Sequence, residues 1–251
     1  MSNSREPFRL DGLTALVTGG ASGIGEAICR RLTWSGASVV IADIDKARAD
    51  ALSAELPASS VIRLDITDEA AVKAAFAALP KLDILVNNAG IGLVASVEET
   101  STEDFQRLFR VNVEGTFYVT KAAIPLLLAS SGNIVNIGSV AGVKGFRRRF
   151  AYCATKGAVL AMTKQLALEY AGKVRVNAIC PGTTDTPFVE AYIAKYHSHE
   201  VEKIRAELNA RQPVGRLGRP DEMADLVLYL CSREAGFVTG SLMFIDGGTM
   251  A

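Results

Sequence analysis

Short apolar segments alternate with helical patterns along the chain, and this alternation constrains the fold more than any other feature. Segments rich in β-branched residues predict strands at residues 13–19, 37–43, 59–65, 82–90, 132–139, 174–182 and 242–248. Helical patterns lie between them, at residues 24–34, 46–56, 68–79, 102–129, 151–171 and 220–232. Most of the strands are continuously apolar, as expected when helices cover both faces of a sheet. The pattern predicts an α/β fold, a Rossmann-type doubly wound parallel sheet.

No linker rich in proline, glycine or serine divides the sequence, and we find no internal repeat. We therefore predict one domain over residues 1–251. The segment at about residues 183–219 departs from the alternation, because it is polar, has no predicted strand and contains the helical-looking run Pro187–Arg211. It follows the C-terminal end of a strand, where such a sheet places ligand-binding groups. This position predicts a lid over a bound ligand.

Composition and charge exclude several classes of function. Lys plus Arg and Asp plus Glu each total 27, so the formal net charge is zero, unlike that of a typical nucleic-acid binder. The polar N-terminus and the short apolar runs predict neither a secretion signal nor a membrane span, which favours the cytoplasm. His197 and His199 have few potential ligands nearby, so we predict a lid surface there and no metal site. The cysteines are far apart, which predicts free thiols: Cys29, Cys153, Cys180 and Cys231.

A glycine-rich turn joins the first predicted strand to the first helix. Gly19, Gly20, Gly23 and Gly25 lie in the segment Thr18–Gly25. Glycines allow the backbone to turn sharply and to approach a pyrophosphate, which then lies at the positive N-terminal end of the helix. In this strand–turn–helix context the turn predicts a dinucleotide site.

The end of the second predicted strand indicates which dinucleotide is bound. Asp43 lies 18 residues after Gly25, where a carboxylate accepts hydrogen bonds from the adenosine ribose hydroxyls and repels a 2′-phosphate. Ile44 and Asp45 follow it, Ser22 precedes the second glycine of the turn, and no arginine or lysine adjoins Asp43 in the sequence. These residues favour NAD over NADP.

A tyrosine and a lysine lie one helical turn apart in a predicted helix. Tyr152 and Lys156 are four residues apart, so both project from one face, with Cβ atoms about 5–6 Å apart. A phenol is a poor base at neutral pH, but a nearby ammonium favours the phenolate. Ser139 and the segment Asn87–Gly90 follow other predicted strands at the same edge of the sheet. Together they indicate a catalytic site beside the dinucleotide.

These motifs together resemble the classical short-chain dehydrogenase/reductase family over nearly the full length of the chain. Their order and spacing agree with the family pattern throughout. The matching features are TGGASGIG at 18–25, Asp65 after the third strand, NNAG at 87–90, Asn112 in RVNVEG, Ser139, Tyr152 with Lys156, and PGTTDTP at 181–187.

The resemblance implies a role for each matching residue. Tyr152 would act as general base in alcohol oxidation and as acid in ketone reduction, and Ser139 would hold the reacting oxygen. Lys156 would lower the pKa of the tyrosine and bind the nicotinamide ribose, and Asn112 would shape the helix so that a water links Lys156 to solvent. Asp65 would contact the adenine, Asn88 the ribose side of the cofactor and Thr186 the carboxamide. The expected cofactor-binding residues are Gly19, Ser22, Gly23, Ile24, Gly25, Asp43, Asp65, Ile66, Asn88, Ala89, Gly90, Tyr152, Lys156, Pro181, Gly182, Thr184 and Thr186.

Arginines near the catalytic tyrosine indicate the charge of the substrate. We expect at least two of Arg147–Arg149 to be solvated, whereas Arg149 precedes Tyr152 by three residues and could bind a carboxylate. Around Arg149 and Arg211 the chain resembles the cytosolic-type (R)-3-hydroxybutyrate dehydrogenases and the 2-keto-3-deoxy sugar-acid dehydrogenases. In those enzymes arginines at both positions bind the substrate carboxylate, together with Ser139 at the reacting oxygen. A third arginine of the hydroxybutyrate enzyme is replaced here by Tyr192, which leaves a larger polyhydroxy acid open.

We therefore expect an NAD-dependent dehydrogenase of a small hydroxy acid or sugar acid, and the family resemblance implies a homotetramer. The alternatives are a 3-oxoacyl-thioester reductase and a neutral sugar or polyol dehydrogenase. A nucleotide-binding sensor that has lost its chemistry would be a different class, but Tyr152 and Lys156 are both present.

Overall fold

Parallel strands distributed along the chain form one sheet whose order reverses at its centre. The structure, a computed structural model, describes residues 6–196 and 199–251, except for the side chains of Tyr192, Lys195 and Tyr196. In this part of the chain seven strands pair in the order β3-β2-β1-β4-β5-β6-β7, all parallel. They are β1 (Thr14–Thr18), β2 (Ser38–Asp43), β3 (Ser59–Arg63), β4 (Ile84–Asn87), β5 (Asn133–Ile137), β6 (Arg175–Pro181) and β7 (Leu242–Ile245). The predicted fold class and strands are confirmed.

Helices cover both faces of the sheet because alternate strand residues point to opposite sides. Ala15 and Val17 pack into a core with α1, α2 and α9, whereas Leu16 packs into a second core with α3, α5 and α6. The helices are α1 (Gly23–Trp34), α2 (Lys46–Glu55), α3 (Glu69–Ala77), α4 (Thr102–Phe109), α5 (Thr116–Ser130), α6 (Phe150–Glu169), α7 (Pro187–Tyr196), α8 (Val201–Ala210) and α9 (Pro220–Cys231). No described helix is both long enough and apolar enough to cross a membrane.

The long helix predicted at residues 102–129 is interrupted in the middle. A π-helical segment, Arg110–Gly115, joins α4 to α5. Asn112 lies in this segment, fully buried, and its side chain binds the backbone of Ile91. The predicted single helix is therefore wrong in this detail. Hydrophobic periodicity cannot distinguish an extra residue in one turn from a continuous helix, and such turns are frequent at functional sites.

The segment after β6 forms a small layer of its own. Its helices α7 and α8 share an apolar cluster, which is separate from the two main cores: Val189, Ile193, Ile204, Leu208 and Leu217. A single backbone bridge between Thr184 and Gly218 closes the segment at its base. The run predicted at Pro187–Arg211 thus contains two helices, and His197 lies outside the described residues.

Candidate active site

The candidate site lies at the carboxyl ends of the strands, around the point where the strand order reverses. β1 and β4 are neighbours there, while their following segments lead to opposite faces of the sheet. A crevice forms at such a point, and open α/β sheets bind their ligands in it.

The glycine-rich turn after β1 is held by the loop after β4. The Asn88 side-chain amide donates to the backbone oxygens of Thr18, at 3.0 Å, and Gly19, at 2.8 Å. The Thr18 hydroxyl in turn accepts the N–H groups of Asn88 and Ala89. Gly19 has φ +61°, and a Cβ there would lie 2.9 Å from the Cα of Ala89. Only glycine satisfies both the backbone angle and this close approach. Asn88 therefore fixes the turn itself.

The N-terminus of α1 has the geometry of an anion site. Gly23 has φ +56°, and a Cβ on Gly25 would overlap the backbone oxygen of Gly19. Ser22 precedes the helix with extended backbone, and its side chain makes no capping hydrogen bond. The first N–H groups of the helix are thus not satisfied by a side-chain cap and can bind a phosphate. Ile24 is partly buried against the core below. These residues fit a dinucleotide pyrophosphate.

Asp43 lies beside this turn at the end of β2. One carboxylate oxygen accepts the N–H of Ala21 at 2.9 Å, and the other accepts the N–H of Asp45 at 2.9 Å. The carboxylate is therefore fixed next to the turn, where it can accept hydrogen bonds from ribose hydroxyls. The β2–β3 register also places Arg63 opposite Asp43, a neighbour that chain-local reasoning missed.

The two predicted cofactor-binding residues after β3, Asp65 and Ile66, make most of their described contacts with neighbouring protein groups. One Asp65 carboxylate oxygen accepts hydrogen bonds from both the backbone and the hydroxyl of Thr67, at 2.9 and 2.8 Å. Ile66 is buried and packs on Gly115, where a Cβ would lie 2.7 Å from its side chain. Ile66 thus supports the π-helical segment that contains Asn112.

Tyr152 and Lys156 project from the same face of α6, as predicted from their spacing. The Lys156 Nζ lies 5.9 Å from the centre of the Tyr152 ring and donates to the Ile137 oxygen at 2.7 Å. Ser139 precedes a short helical turn, where its hydroxyl accepts the N–H of Ala141 at 3.1 Å. That turn packs on α6, because a Cβ on Gly142 would lie 2.9 Å from the backbone of Lys156. The Ser139 hydroxyl consequently lies within hydrogen-bonding reach of the Tyr152 phenol.

The surroundings of the Tyr152 phenol shift its pKa in opposite directions. Burial raises the pKa of Tyr152 above its ordinary value, while the Ser139 hydrogen bond and the Arg149 charge both lower it. The sequence interpretation assigned the lowering of this pKa to Lys156 and did not anticipate the contribution of the Arg149 charge. Burial also lowers the pKa of Lys156, to about 8. The amino group is therefore still protonated in most molecules at pH 7.

Asn112 connects the π-helical segment to this face of α6. Its amide nitrogen donates to the Ile91 oxygen at 2.9 Å and to the Thr155 hydroxyl at 3.1 Å, and its oxygen accepts the Ile91 N–H at 2.8 Å. Gly90 lies beside it, where a Cβ would be 3.2 Å from the Asn112 oxygen and 3.8 Å from the Lys156 Nζ. Asn112, Gly90 and Lys156 thus meet at one place beneath Tyr152.

The loop after β6 closes the crevice on its remaining side. Pro181 ends the strand, and the Gly182 N–H donates to the Ile245 oxygen at 3.0 Å. Thr184 is buried, and the Thr186 hydroxyl donates to its backbone oxygen at 3.2 Å. The side chain of Thr186 lies near Gly23, where a Cβ would be 3.5 Å away. This brings the predicted carboxamide-binding residue to the start of α1.

The three consecutive arginines have different environments. Arg147 and Arg148 are both exposed, and Arg148 makes a bidentate ion pair with Glu99. Arg149 is partly buried immediately before α6 and donates to the Leu93 oxygen at 3.4 Å. Its positive charge lowers the pKa of Tyr152. Arg211 is exposed at the end of α8, and the Tyr192 side chain lies outside the described residues. The structure brings Arg149 next to the catalytic candidates and does not do so for Arg211.

Comparison with known proteins shows the family to which this chain belongs. Residues 19–250 match a family model described as enoyl-(acyl carrier protein) reductase. The chain is 39% identical to 2-(S)-hydroxypropyl-CoM dehydrogenase 3 of Xanthobacter autotrophicus, over 97% of this chain and 98% of that protein. It is 40% identical to 2-keto-3-deoxy-L-fuconate dehydrogenase of Xanthomonas campestris, over 96% of this chain and 81% of that protein. The chain belongs to the classical short-chain dehydrogenase/reductase family.

A solved member of the family has the same architecture. Ligand-free aldohexose dehydrogenase of Thermoplasma acidophilum superposes with a TM-score of 0.89 at 35% identity, covering 97% of this chain and 95% of that one. As a short-chain dehydrogenase/reductase, the protein is an oxidoreductase that acts on CH–OH groups. Membership implies a nicotinamide cofactor, NAD or NADP.

The sequence reasoning missed a buried polar layer under the site of this dehydrogenase. The Asn87 amide donates to Asn136 at 2.9 Å and to Thr120 at 3.0 Å, and Asn136 donates to Thr163 at 2.8 Å. These side chains join β4 and β5 to α5 and α6, below the candidate catalytic residues. The available signal was the presence of Asn87 and Asn136 in two mainly apolar strands, which the register places side by side.

Proposed function

We propose that this protein is an NAD-dependent dehydrogenase that oxidises the secondary alcohol of a small hydroxy acid or sugar acid. The observation that carries the proposal is the convergence of Tyr152, Ser139 and a partly buried arginine, Arg149, at one side of a dinucleotide-type crevice. A phenol and a hydroxyl can handle the reacting alcohol, and a guanidinium beside them can hold a carboxylate.

The cofactor would lie along the crevice. Its pyrophosphate would be held by Gly19, Gly23 and the free N–H groups that begin α1. Asp43 would accept hydrogen bonds from the adenosine ribose, which favours NAD because a 2′-phosphate would be repelled. The remaining contacts proposed from the family resemblance are those of Ile24, Asp65, Ile66, Ala89, Gly90, Pro181, Gly182, Thr184 and Thr186. A nicotinamide held there would supply the acceptor for the hydride that leaves the alcohol carbon.

The protein's own residues move the proton. Ser139 would hold the substrate oxygen, and Tyr152 would take the hydroxyl proton in oxidation and return it in reduction. Because burial raises the pKa of Tyr152, the phenol is mostly protonated at neutral pH, and oxidation is expected to accelerate as the pH rises. Lys156 would bind the nicotinamide ribose, and its position between Asn112 and Ile137 suits a proton path from the phenol.

Arg149 would orient the acid end of the substrate. Paired N–H donors of a guanidinium match the two oxygens of a carboxylate, and partial burial strengthens that pairing. The relative from Xanthomonas campestris is named for a keto-deoxy sugar acid, which agrees with an anionic substrate of this size. We extend the proposal to Arg211 and Tyr192 as lid residues on the same substrate. The family resemblance also leads us to propose a cytoplasmic homotetramer.

A neutral sugar or polyol is the second candidate substrate. The exposed position of Arg211 favours it, because only one of the two predicted arginines lies beside Tyr152. A 3-oxoacyl-thioester reductase shares the catalytic residues and is separated from both by the cofactor and substrate panel below.

The test combines a substrate panel with variants of one arginine. Hydroxy acids, sugar acids, neutral polyols and 3-oxoacyl thioesters are assayed with NAD(H) and NADP(H). Arg149→Met should lower kcat/KM for acids about 10- to 100-fold, the cost of a charge-assisted hydrogen bond, and move the oxidation profile to higher pH. Arg149→Lys keeps the charge and should leave the pH profile in place. Arg147→Met, an exposed neighbour, is the matched control. Equal use of neutral and acidic alcohols by the unmodified enzyme contradicts the proposed substrate.

A further inference from the structure

A phenylalanine of the lid lies against a glycine in the loop after β4. Phe188 is the second residue of α7, and a Cβ built on Gly92 would overlap its ring, with Cε2 only 2.9 Å away. Gly92 has no left-handed φ angle, so its backbone does not require a glycine. The absence of a side chain at position 92 is explained by the ring that occupies the space.

The loop under this ring is fixed by residues of the candidate site. Asn112 binds both the N–H and the oxygen of Ile91, at 2.8 and 2.9 Å. On the other side of Gly92, Arg149 donates to the Leu93 oxygen. The residues Ile91–Leu93 therefore form a platform, which the Phe188 ring covers next to the guanidinium proposed to hold the substrate.

The start of α7 spans the crevice. At one end, a Cβ on Gly23 would lie 3.5 Å from Thr186 and 3.6 Å from Pro187, beside the glycine-rich turn. At the other end, Phe188 reaches the platform across the mouth of the site. The ring is 45% exposed, so its outer part is free while its edge closes against Gly92.

We propose that Phe188 is a specificity-determining residue, whose contact with Gly92 limits how far the substrate extends from the reacting carbon past Arg149. The inference rests on the proposed function for the position of the reacting end at Tyr152 and Ser139. Short substrates end before they reach the ring, whereas longer ones must displace it from Gly92. Gly92 acts as a positioning residue, since any larger residue there moves the ring away.

The experiment measures kcat/KM against chain length for a series of hydroxy acids and a parallel series of neutral secondary alcohols. Phe188→Ala should raise kcat/KM for the longest substrates at least about tenfold relative to the shortest. This is the discrimination that a pocket usually achieves against one or two extra methylene groups. Phe188→Val should have a smaller effect in the same direction, and Phe188→Leu should keep the unmodified order. NAD(H) binding and thermal unfolding are measured on every variant to show that each is folded.

A double-mutant cycle separates this role from a merely structural one. Gly92→Ala should change the chain-length profile in the unmodified enzyme but have less than about a twofold effect in the Phe188→Ala background, because contacting residues couple. Equal effects in both backgrounds, or an unchanged profile in Phe188→Ala and Phe188→Val, would overturn the inference. If neutral alcohols prove the better substrates, the anionic part of the proposed function fails, and the neutral series then tests Phe188 in the same way.

Discussion

The two sides of the crevice are built in different ways. On the cofactor side, the glycine-rich turn is joined to the β4 loop by four hydrogen bonds from Thr18 and Asn88, and to Asp43 by a fifth. On the substrate side, α7 and α8 share a small apolar cluster of their own. Exposed ion pairs from Arg205 to Asp185 and Glu190 tie these helices to the loop after β6.

This difference separates a fixed part of the enzyme from an adjustable one. Hydrogen bonds between strand ends are held by the whole sheet, whereas a lid with few buried contacts opens at low free-energy cost. A nicotinamide dinucleotide, which the family shares, suits the first kind of site, and a substrate that differs between members suits the second. Variants on each side should therefore differ in the kind and size of their effects.

The largest effect is expected at Tyr152, which lies between the two sides. Tyr152→Phe removes the proton-transferring hydroxyl and should lower kcat by about 10²- to 10⁴-fold, the usual contribution of a general acid or base. NAD(H) binding, measured by titration, should change less than about threefold, since the ring and the cofactor side remain intact.

Tyr170→Phe is the matched control, because Tyr170 follows the same helix at its opposite end. It should retain full turnover. A Tyr152→Phe enzyme with near-normal kcat would mean that another group moves the proton, and the assignment of the catalytic residues would be withdrawn.

An intermediate effect is expected at Asp43, on the fixed side. Asp43→Ala removes the carboxylate proposed to bind the ribose and leaves the cofactor side of the crevice facing Arg63, its neighbour across the β2–β3 register. The ratio of kcat/KM for NAD to that for NADP should fall about 10- to 100-fold. In the double variant with Arg63→Ala, the loss with NAD should persist while the gain with NADP disappears.

Asp45→Ala serves as the control, because Asp45 caps α2 and its loss should lower stability without changing the cofactor ratio. A preference for NADP in the unmodified enzyme would show that Arg63 outweighs Asp43. The cofactor side would then be adjustable as well, and the contrast between the two sides would fail.

The same contrast explains what could be predicted from the sequence. The strands and the glycine-rich turn follow from local patterns: Leu16 and its neighbours are buried on both faces, and Gly19 has a positive φ angle. The common face of Tyr152 and Lys156 follows from helical spacing. These features depend on residues close together in the chain, so the sequence was sufficient for them.

What the sequence did not reveal depends on contacts between distant segments. Arg63 is 20 residues from Asp43 and meets it only through strand register, and Phe188 meets Gly92 only through the position of the lid. The π-helical segment at Asn112 depends on its bonds to Ile91. Arg149 and Arg211 looked equivalent in the sequence, yet the structure places only Arg149 beside Tyr152.

The smallest effect is expected in the lid, at Arg205. Its ion pairs with Asp185 and Glu190 are partly exposed, with 38% of the arginine side chain accessible, and such pairs are each worth little. Arg205→Ala should raise KM for the substrate less than about fivefold and leave kcat and NAD(H) binding unchanged. Hydrogen exchange in α7 and α8 should become faster, because these pairs hold the helices against the loop after β6.

Arg30→Ala is a close control on the fixed side, since Arg30 also pairs with two carboxylates, those of Glu26 and Glu55. Both variants lose comparable exposed ion pairs, so their thermal stabilities should fall by similar amounts. Only Arg205→Ala should change KM, and added salt should reduce the difference in KM between it and the unmodified enzyme by screening the same pairs. If Arg30→Ala changes KM equally, the lid is no more adjustable than the sheet, and the substrate side must be described as a rigid site.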